Sequence, residues 1–204
     1  MKARSYVSPL RAAGAEETRR VLIQAATNYL DEQPITKFSL DAVAKAAGVT
    51  RLTVYNQFGS RRGLLEAVLD EIATTGRVAR VREAVESPDP TKGIERLVDI
   101  MCDFWESCPA IVRLHEASSL DPEFGAAIVE RQEQRRQAVG VLVKRASGRA
   151  SLTATHRAAI DLVSSLTSLP TYKTLAATQS SKAIRRLLKD ACSDAVKRAI
   201  DSAT

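Results

Sequence analysis

The sequence predicts an all-α protein, with a small N-terminal domain of three helices followed by a larger helical domain. Apolar residues recur at helical spacing along most of the chain. Only 9 glycines and 7 prolines interrupt the 204 residues, and aromatic residues make up 4%. This composition argues against a sandwich or barrel of short strands joined by many turns. A hydrophobic content of 45% is enough to build a core.

Amphipathic patterns in the first third of the chain predict four helices. Ser39 and Thr50 are each placed to cap a short helix, and Gly48 is expected to end the first of these two. A basic arm over residues 1–15, expected to be flexible, precedes the first helix. The predicted helices span residues 16–31, 40–47, 51–58 and 61–75.

The rest of the chain shows the same periodicity after a break at residues 87–90, where the sequence reads SPDP. Further helices are predicted over residues 91–107, from 109, from 122 to about 145, over 153–169 and over 181–200. The predicted domains are residues 16–62 and 63–204, linked by the helix at 61–75. Neither internal repeats nor low-complexity segments are found.

Positive charge is concentrated near the N-terminus. The chain carries 30 Lys and Arg against 24 Asp and Glu, a net charge of +6. Residues 1–65 contain ten of these cations and five of the anions, so most of the excess lies there. Such an asymmetry indicates that the first segment meets a polyanion, while the remainder has an electrically neutral role.

The two short helices and their glycine-containing connection are typical of a helix-turn-helix unit. In such a unit the second helix lies in the major groove, with an apolar inner face and an outer face of hydrogen-bond donors. Val49, Val54 and Phe58 are expected to point inward. Arg51 can make a bidentate contact with guanine. The other candidate DNA-binding residues are Ser39, Lys45, Thr50, Leu52, Thr53, Tyr55, Asn56 and Arg61.

The stretch SLDAVAKAAGVTRLTVYNQFGSRRGLLEAVL, residues 39–69, resembles the DNA-binding domain of the TetR family of bacterial repressors. The resemblance implies base contacts from Arg51, Leu52 and Tyr55. It also implies phosphate contacts from the residues Ser39, Thr53, Asn56 and Arg61. For the remaining residues it implies a divergent helical domain that binds a ligand and a second subunit.

Three residues depart from the pattern of the TetR family. Leu52 stands where a small residue or proline is usual, Gln57 where histidine is usual and Arg61 where lysine is usual. Arg61 keeps the charge and Gln57 can still form hydrogen bonds. Leu52 can restrict the approach of its helix to DNA or contact a thymine methyl group, so the departures bear on the operator sequence.

The last two predicted helices are the candidate dimer interface, because one short recognition helix reads too few base pairs alone. Their apolar faces can equally fill the core of their own subunit, and the resemblance to the TetR family favours a four-helix interface between subunits. The candidate interface residues are Leu162, Leu166, Ile184, Leu188, Ala191 and Ala195.

A group of scarce aromatic and polar residues in the larger domain is the candidate ligand pocket. The single tryptophan lies beside Phe104 and near His115 in sequence, which predicts an apolar cavity with a few polar groups. Ordinary core packing is the alternative for each residue taken alone. The candidate ligand-binding residues are Met101, Phe104, Trp105, His115, Phe124 and Tyr172.

The remaining patterns exclude other classes of function. Three cysteines without a CxxC pair predict free thiols and no zinc site, and no metal or cofactor is expected. Neither a membrane span nor a secretory signal is found, which predicts a cytoplasmic protein. Two histidines and no catalytic motif argue against an enzyme. The charge run at residues 130–136 is interpreted as a solvated helix face.

The sequence therefore predicts a ligand-responsive transcriptional regulator, and a repressor in particular. A homodimer is expected to bind a palindromic operator in double-stranded DNA. A small-molecule effector, at least partly apolar, is expected to release it. The alternative is a helical protein that binds a small molecule or a partner protein without useful sequence-specific DNA binding.

Overall fold

The computed structural model of the protein describes residues 9–75 and 80–202, and the regular elements in these two ranges are all helical. The all-α prediction is confirmed. The elements are α1 (Pro9–Glu32), a 3₁₀ turn (Ile35–Lys37), α2 (Leu40–Ala47), α3 (Arg51–Phe58), α4 (Arg61–Thr75), α5 (Val81–Val85), α6 (Pro90–Ser107), α7 (Pro109–Ser118), α8 (Pro122–Ser147), α9 (Ala154–Leu166), α10 (Leu169–Ala176) and α11 (Ser181–Asp201).

The chain divides into two compact units, with the division between Glu71 and Ile72. The division falls inside α4, whereas the sequence analysis placed the domain boundary between residues 62 and 63. In the first unit, α1 packs on α2 and α2 packs on α3. The side chains that fill this core are fully buried and include Leu22, Ala26, Leu30, Val43, Val54, Leu64, Leu65 and Val68.

Helix α1 begins at Pro9 and not at Glu16. Residues 9–15 are therefore helical, although the sequence analysis assigned them to the N-terminal arm. Residues 1–8 of that arm lie outside the described residues. A proline is tolerated in the first turn of a helix, where its missing N–H has no intrahelical partner. The leucine, arginine and alanines that follow it have high helix propensity, which explains the longer helix.

Side-chain caps fix the start of both short helices, as predicted. The Ser39 hydroxyl oxygen accepts a hydrogen bond from the Ala42 N–H at 3.1 Å, and the Thr50 hydroxyl oxygen accepts one from the Thr53 N–H at 3.2 Å. Gly48 follows α2 with φ of +68°, in the left-handed region that favours glycine. The turn of the helix-turn-helix unit thus depends on this one glycine.

Replacing Gly48 by alanine is expected to lower the free energy of unfolding by about 1 kcal/mol, because a Cβ is strained at positive φ. No atom would obstruct that Cβ, so the loss measures backbone conformation alone. Gly14→Ala is the matched control, since Gly14 lies in exposed α1 with equally open space and should gain stability. Chemical denaturation followed by circular dichroism measures both. Equal effects of the two variants would contradict this role for Gly48.

Gly63 brings the end of α3 close to the start of α4. A Cβ at this position would lie 2.2 Å from the carbonyl oxygen of Phe58, a distance that real side chains do not occupy. Ser60 begins α4 by accepting a hydrogen bond from the Gly63 N–H at 3.0 Å. The connection between α3 and α4 is therefore tight, because the backbone of Gly63 approaches the end of α3 closely.

The second unit is organised around α8, which packs against α5, α6, α7 and α9, while α11 packs against α6 and α9. The single helix predicted over residues 153–169 is divided into α9 and α10. Ser168 caps α10, and Pro170 lies in the first turn of that helix. Because a proline lacks the N–H that would continue α9, the chain starts a new helix here. The indole Nε1–H of Trp105 donates to the Thr167 carbonyl at 3.1 Å, which joins α6 to the end of α9.

Within the two described ranges, no helix combines the length and the apolar composition needed to cross a bilayer.

Candidate functional site

Helix α3 presents a solvent-exposed face of mixed chemistry. Arg51, Leu52, Tyr55 and Asn56 are exposed, with 65% of Leu52 and 54% of Tyr55 accessible to solvent. Val54 points the other way and is completely buried. This helix therefore anchors itself by a narrow apolar strip and leaves a leucine, a tyrosine and two polar side chains free to contact another molecule.

Arg51 has a partner that the sequence analysis did not predict. Its Nε lies 3.3 Å from a carboxylate oxygen of Asp41, on the first turn of α2, and both side chains are about two-thirds exposed. Exposed ion pairs contribute little to stability. The pair therefore holds the guanidinium beside the N-terminus of α2 without preventing its use elsewhere. No regular spacing links these two residues, so the sequence offered no signal for the pair.

The predicted phosphate-binding residues differ in how free they are. Lys45 is exposed, whereas Ser39 and Thr53 are half-buried. Ser39 and Thr50 already accept hydrogen bonds as helix caps, and the two hydroxyl oxygens of Thr50 and Thr53 lie 2.9 Å apart. Lys45 is therefore more accessible to a polyanion than Ser39 and Thr53 are.

Arg61 is half-buried and contributes to the packing of the first unit. Its Nε–H donates to the Phe38 carbonyl at 3.1 Å, and its guanidinium lies 5.8 Å from the centre of the Phe38 ring. Its neighbour Arg62 pairs with Glu66 at 2.8 Å. Arg61 was predicted to contact phosphate. In the structure its guanidinium also fixes the start of α4 against Phe38.

Gln57 joins the end of α3 to α1. Its side-chain Nε2–H donates to the Ala15 carbonyl at 3.4 Å, and the main-chain carbonyl of Gln57 accepts a hydrogen bond from Arg19 Nη1 at 3.2 Å. Arg19 also stacks over the Phe58 ring at 4.7 Å from its centre. The extension of α1 toward Pro9 supplies the Ala15 carbonyl, so the longer helix helps to position the end of α3.

The candidate ligand residues are brought together only in part. Phe104, Trp105 and His115 form one cluster, with ring centres 4.8 Å apart for the first two and 5.9 Å apart for Trp105 and His115. Met101 and Phe124 are buried in the core. Tyr172 is half-buried, and its hydroxyl donates to a carboxylate oxygen of Glu106 at 2.9 Å.

Arg135 is a charged residue of the second unit that the sequence analysis missed. The run at residues 130–136 was interpreted as a solvated face, but the Nε of Arg135 is enclosed and has no hydrogen-bond partner. Burial lowers the pKa of Arg135 to about 10. Burial, and then the charge of Arg135, lower the pKa of His115 to about 4. The sequence signal was periodicity, since Val139 and Leu142 lie one and two turns further on the same buried face.

The predicted dimer residues do not form one exposed surface. Ile184, Leu188 and Ala195 are at least 94% buried inside the protomer, where α11 packs on α6 and α9, so they belong to its own core. Leu166 and Ala191 are half-buried. Leu162 on α9 is exposed, as is Leu187 on α11, which the sequence analysis did not select. The apolar face of α11 therefore extends beyond the residues that are buried in the protomer, since it includes the exposed Leu187.

A charged network fastens α11 to α6. Arg185 lies 2.8 Å from Asp103 and 2.6 Å from Glu106, and its Nη1–H also donates to the Asp99 carbonyl at 3.2 Å. Glu106 also accepts hydrogen bonds from Tyr172 and Ser181. Burial alone would raise the pKa of Glu106, but these hydrogen bonds and the charge of Arg185 hold it below its usual value. The network is structural and faces solvent at its rim.

Sequence comparisons place the first unit in a known group. Residues 22–68 match the family model for bacterial regulatory proteins of the tetR family. The HTH-type transcriptional regulator TtgR of Pseudomonas putida is 29% identical over 126 residues, 61% of this chain and 60% of its own length. The HTH-type transcriptional repressor LfrR of Mycolicibacterium smegmatis is 32% identical over 127 residues, 58% of this chain and 62% of its own length. The matches thus span about 60% of these curated relatives.

Solved structures resemble the whole chain. A TetR-family transcriptional regulator from Streptomyces coelicolor superposes with a TM-score of 0.72 at 19% identity, covering 95% of this chain and 96% of its own. The structure of LfrR from Mycobacterium smegmatis in complex with proflavine gives a TM-score of 0.58 at 23% identity, covering 89% and 97%. These likenesses show the fold. The match to the family model for bacterial regulatory proteins of the tetR family is confined to residues 22–68, which lie in the first unit.

Proposed function

We propose that the protein is a ligand-responsive transcriptional regulator that binds operator DNA through α3. The observation that carries this proposal is the exposed face of α3, set by capped short helices within the segment that matches the family. Arg51, Tyr55 and Asn56 offer side chains that can reach base edges in a major groove. Lys45 adds an exposed positive charge for the phosphate backbone.

A homodimer that reads a palindromic operator is part of the proposal. Two recognition helices about 34–36 Å apart would contact successive major grooves on one side of the duplex. Leu162 and Leu187 support α9 and α11 as the interface, because these exposed leucines lie on two helices that pack against each other. Repression fits this arrangement when the operator overlaps a promoter.

Release by a small molecule completes the proposed mechanism. Relatives of the same fold have been solved with small molecules bound, proflavine in LfrR and choline in a regulator from Saccharomonospora viridis. The aromatic cluster of Phe104, Trp105 and His115 supports a ligand site in the second unit here. An effector that binds the DNA-incompetent conformation more tightly would lower operator affinity by that difference.

Binding to DNA from the gene's own promoter region, compared with random DNA of equal length, tests the proposal. Arg51→Ala is expected to weaken operator binding roughly tenfold and to relax the preference at one base pair, with little effect on random DNA. Lys45→Ala should weaken binding to both DNAs alike and lower the slope of affinity against salt by about one. Fluorescence anisotropy over a range of salt concentrations measures both effects.

Two outcomes would contradict the proposal. Equal affinity of the unmodified protein for promoter and random DNA would favour a helical protein that binds a partner, for which the exposed Leu52 would be the contact. Identical behaviour of the Arg51 and Lys45 variants on both DNAs would remove the distinction between base and phosphate contacts. Circular dichroism should show unchanged folding, because neither side chain is buried.

A further inference from the structure

Arg135 is half-buried, and the described part of the chain leaves its positive charge without a carboxylate partner. Its Nε is enclosed and has no hydrogen-bond partner. Its Nη2–H reaches the carbonyl oxygen of Ser164 at 3.4 Å, which is a long hydrogen bond. An unpaired buried cation is costly, and native proteins normally compensate it with an anion.

The neighbouring acidic groups serve a different arginine. Arg136 takes Asp161 at 2.6 Å and Glu133 at 3.6 Å. Arg136 follows Arg135 on α8 and lines the same cleft, but the two guanidiniums have different partners. Both acids form their ion pairs with Arg136.

The unused part of Arg135 is the part suited to an anion. The Nε–H and one Nη2–H of a guanidinium lie on the same edge and point in the same direction, which lets them bind both oxygens of a carboxylate. In Arg135 this edge holds one nitrogen with no partner and one with a single long bond. This edge therefore has unused hydrogen-bonding capacity, which a bidentate contact with a carboxylate would fill.

A cleft and an aromatic cluster adjoin this guanidinium. Arg135 lines a cleft of about 440 Å³ between α8, α9 and α10, together with Val129, Gln132, Ser164 and Pro170. This volume suits a small organic molecule. His115, which senses the charge of Arg135, stacks edge-on with Trp105 at 5.9 Å between ring centres. Glu133, Arg136 and Asp161 line the same cleft, so the surroundings offer apolar surface next to Arg135 and a second arginine that is already paired with two acids.

We propose that Arg135 holds the anionic group of a small-molecule ligand, a carboxylate on a partly apolar compound, along the Nε–Nη2 edge of its guanidinium. That this ligand acts as the effector rests on the function proposed above. His115 is neutral, and the charge of Arg136 in the same cleft is already balanced by Asp161 and Glu133, so one negative charge is enough to balance Arg135. The proposed ligand is therefore a partly apolar molecule that carries a single negative charge.

The test compares carboxylates with their uncharged amides, using the full-length protein. The probes are acetate, benzoate, 2-naphthoate and decanoate, each paired with its amide, in a buffer free of other carboxylates. Trp105 fluorescence and the thermal midpoint from circular dichroism report binding. We expect at least one carboxylate to bind tenfold or more tightly than its amide and to raise the midpoint. Equal binding of every acid and amide, or no binding of any carboxylate, would overturn the proposal.

Variants of the two adjacent arginines make the test specific. Arg135→Met should remove the preference for carboxylate over amide, whereas Arg136→Met should keep it within about threefold. Arg135→Lys should retain only part of it, because an ammonium lacks the guanidinium edge. Without ligand, Arg135→Met should melt at the same temperature as the unmodified protein or higher. A lower melting temperature for Arg135→Met without ligand would show that Arg135 is a structural residue and would refute the assignment.

DNA binding is measured separately, so the two proposals fail in different ways. Carboxylate binding that depends on Arg135, without any operator binding, would refute the proposed regulator and leave the anion site standing. Operator binding that no carboxylate weakens, together with no carboxylate binding, would refute the anion site and leave the regulator standing.

Discussion

Replacing Trp105 by alanine is expected to lower the free energy of unfolding by about 3–5 kcal/mol, the range for removing a large buried aromatic side chain. Trp105 is 7% exposed and packs against Phe104 and His115. Its indole N–H also satisfies the buried carbonyl of Thr167. Truncation therefore leaves a cavity and an unpaired acceptor at the same place. Denaturation at one fixed protein concentration, followed by circular dichroism, measures the loss.

Two further variants separate the contributions of volume and hydrogen bonding. Trp105→Phe keeps much of the ring packing but removes the donor to Thr167, so it should cost about 1–3 kcal/mol. Val129→Ala is the control for truncation at an exposed position, since Val129 is 62% exposed on α8, and it should change stability by less than about 0.5 kcal/mol. A loss for Trp105→Ala no larger than that of Val129→Ala would show that this cluster does not stabilise the second unit.

Replacing Arg185 by methionine is expected to lower the free energy of unfolding by about 2–3 kcal/mol at pH 7. Removing this cation leaves Asp103 and Glu106 without their shared partner, whereas Asp99 keeps Lys189 at 2.7 Å. Breaking a buried pair costs about 3–5 kcal/mol, and the partial exposure of these side chains reduces that figure. Arg186→Met is the control, because Arg186 is exposed and only 4.0 Å from Asp190. It should be nearly neutral.

The effect of Arg185→Met is expected to depend on pH in a defined direction. The folded protein holds the pKa of Glu106 below the usual value for a glutamate, about 4.3. Stability from such a depressed pKa is fully present above the unfolded value and is lost as pH falls through the folded value. The difference between the unmodified protein and Arg185→Met should therefore be largest near pH 7 and should shrink below about pH 4. A difference that grows on acidification would contradict the network.

Local sequence rules were sufficient where each element is determined by its own residues. The caps at Ser39 and Thr50 and the stop at Gly48 were predicted, because capping chemistry and left-handed backbone depend on one or two side chains. The exposure of Arg51 and Tyr55 followed from the helical period once Val54 was placed inside. The start of α1 was wrong because the basic composition of the preceding residues was read as an arm.

Contacts between distant residues were not predictable in this way. The pairing of Arg51 with Asp41 and the bond from Arg61 to Phe38 join different helices, and no spacing rule anticipates them. Ile184, Leu188 and Ala195 on α11 were predicted for the interface but lie in the protomer core, because core and interface residues are both apolar at the same period. Arg135 was missed for the opposite reason: the charged neighbours in its sequence concealed its position on an inward-facing stripe.

The close approach at Gly63 limits how the DNA-binding surface proposed for α3 can change its specificity. With 2.2 Å between a hypothetical Cβ and the Phe58 carbonyl oxygen, no other residue fits there without moving the end of α3. The angle at which α3 meets a groove is therefore a fixed property of the unit. New operators can be reached by exchanging the exposed side chains of α3, while the frame that holds them tolerates no adjustment at this point.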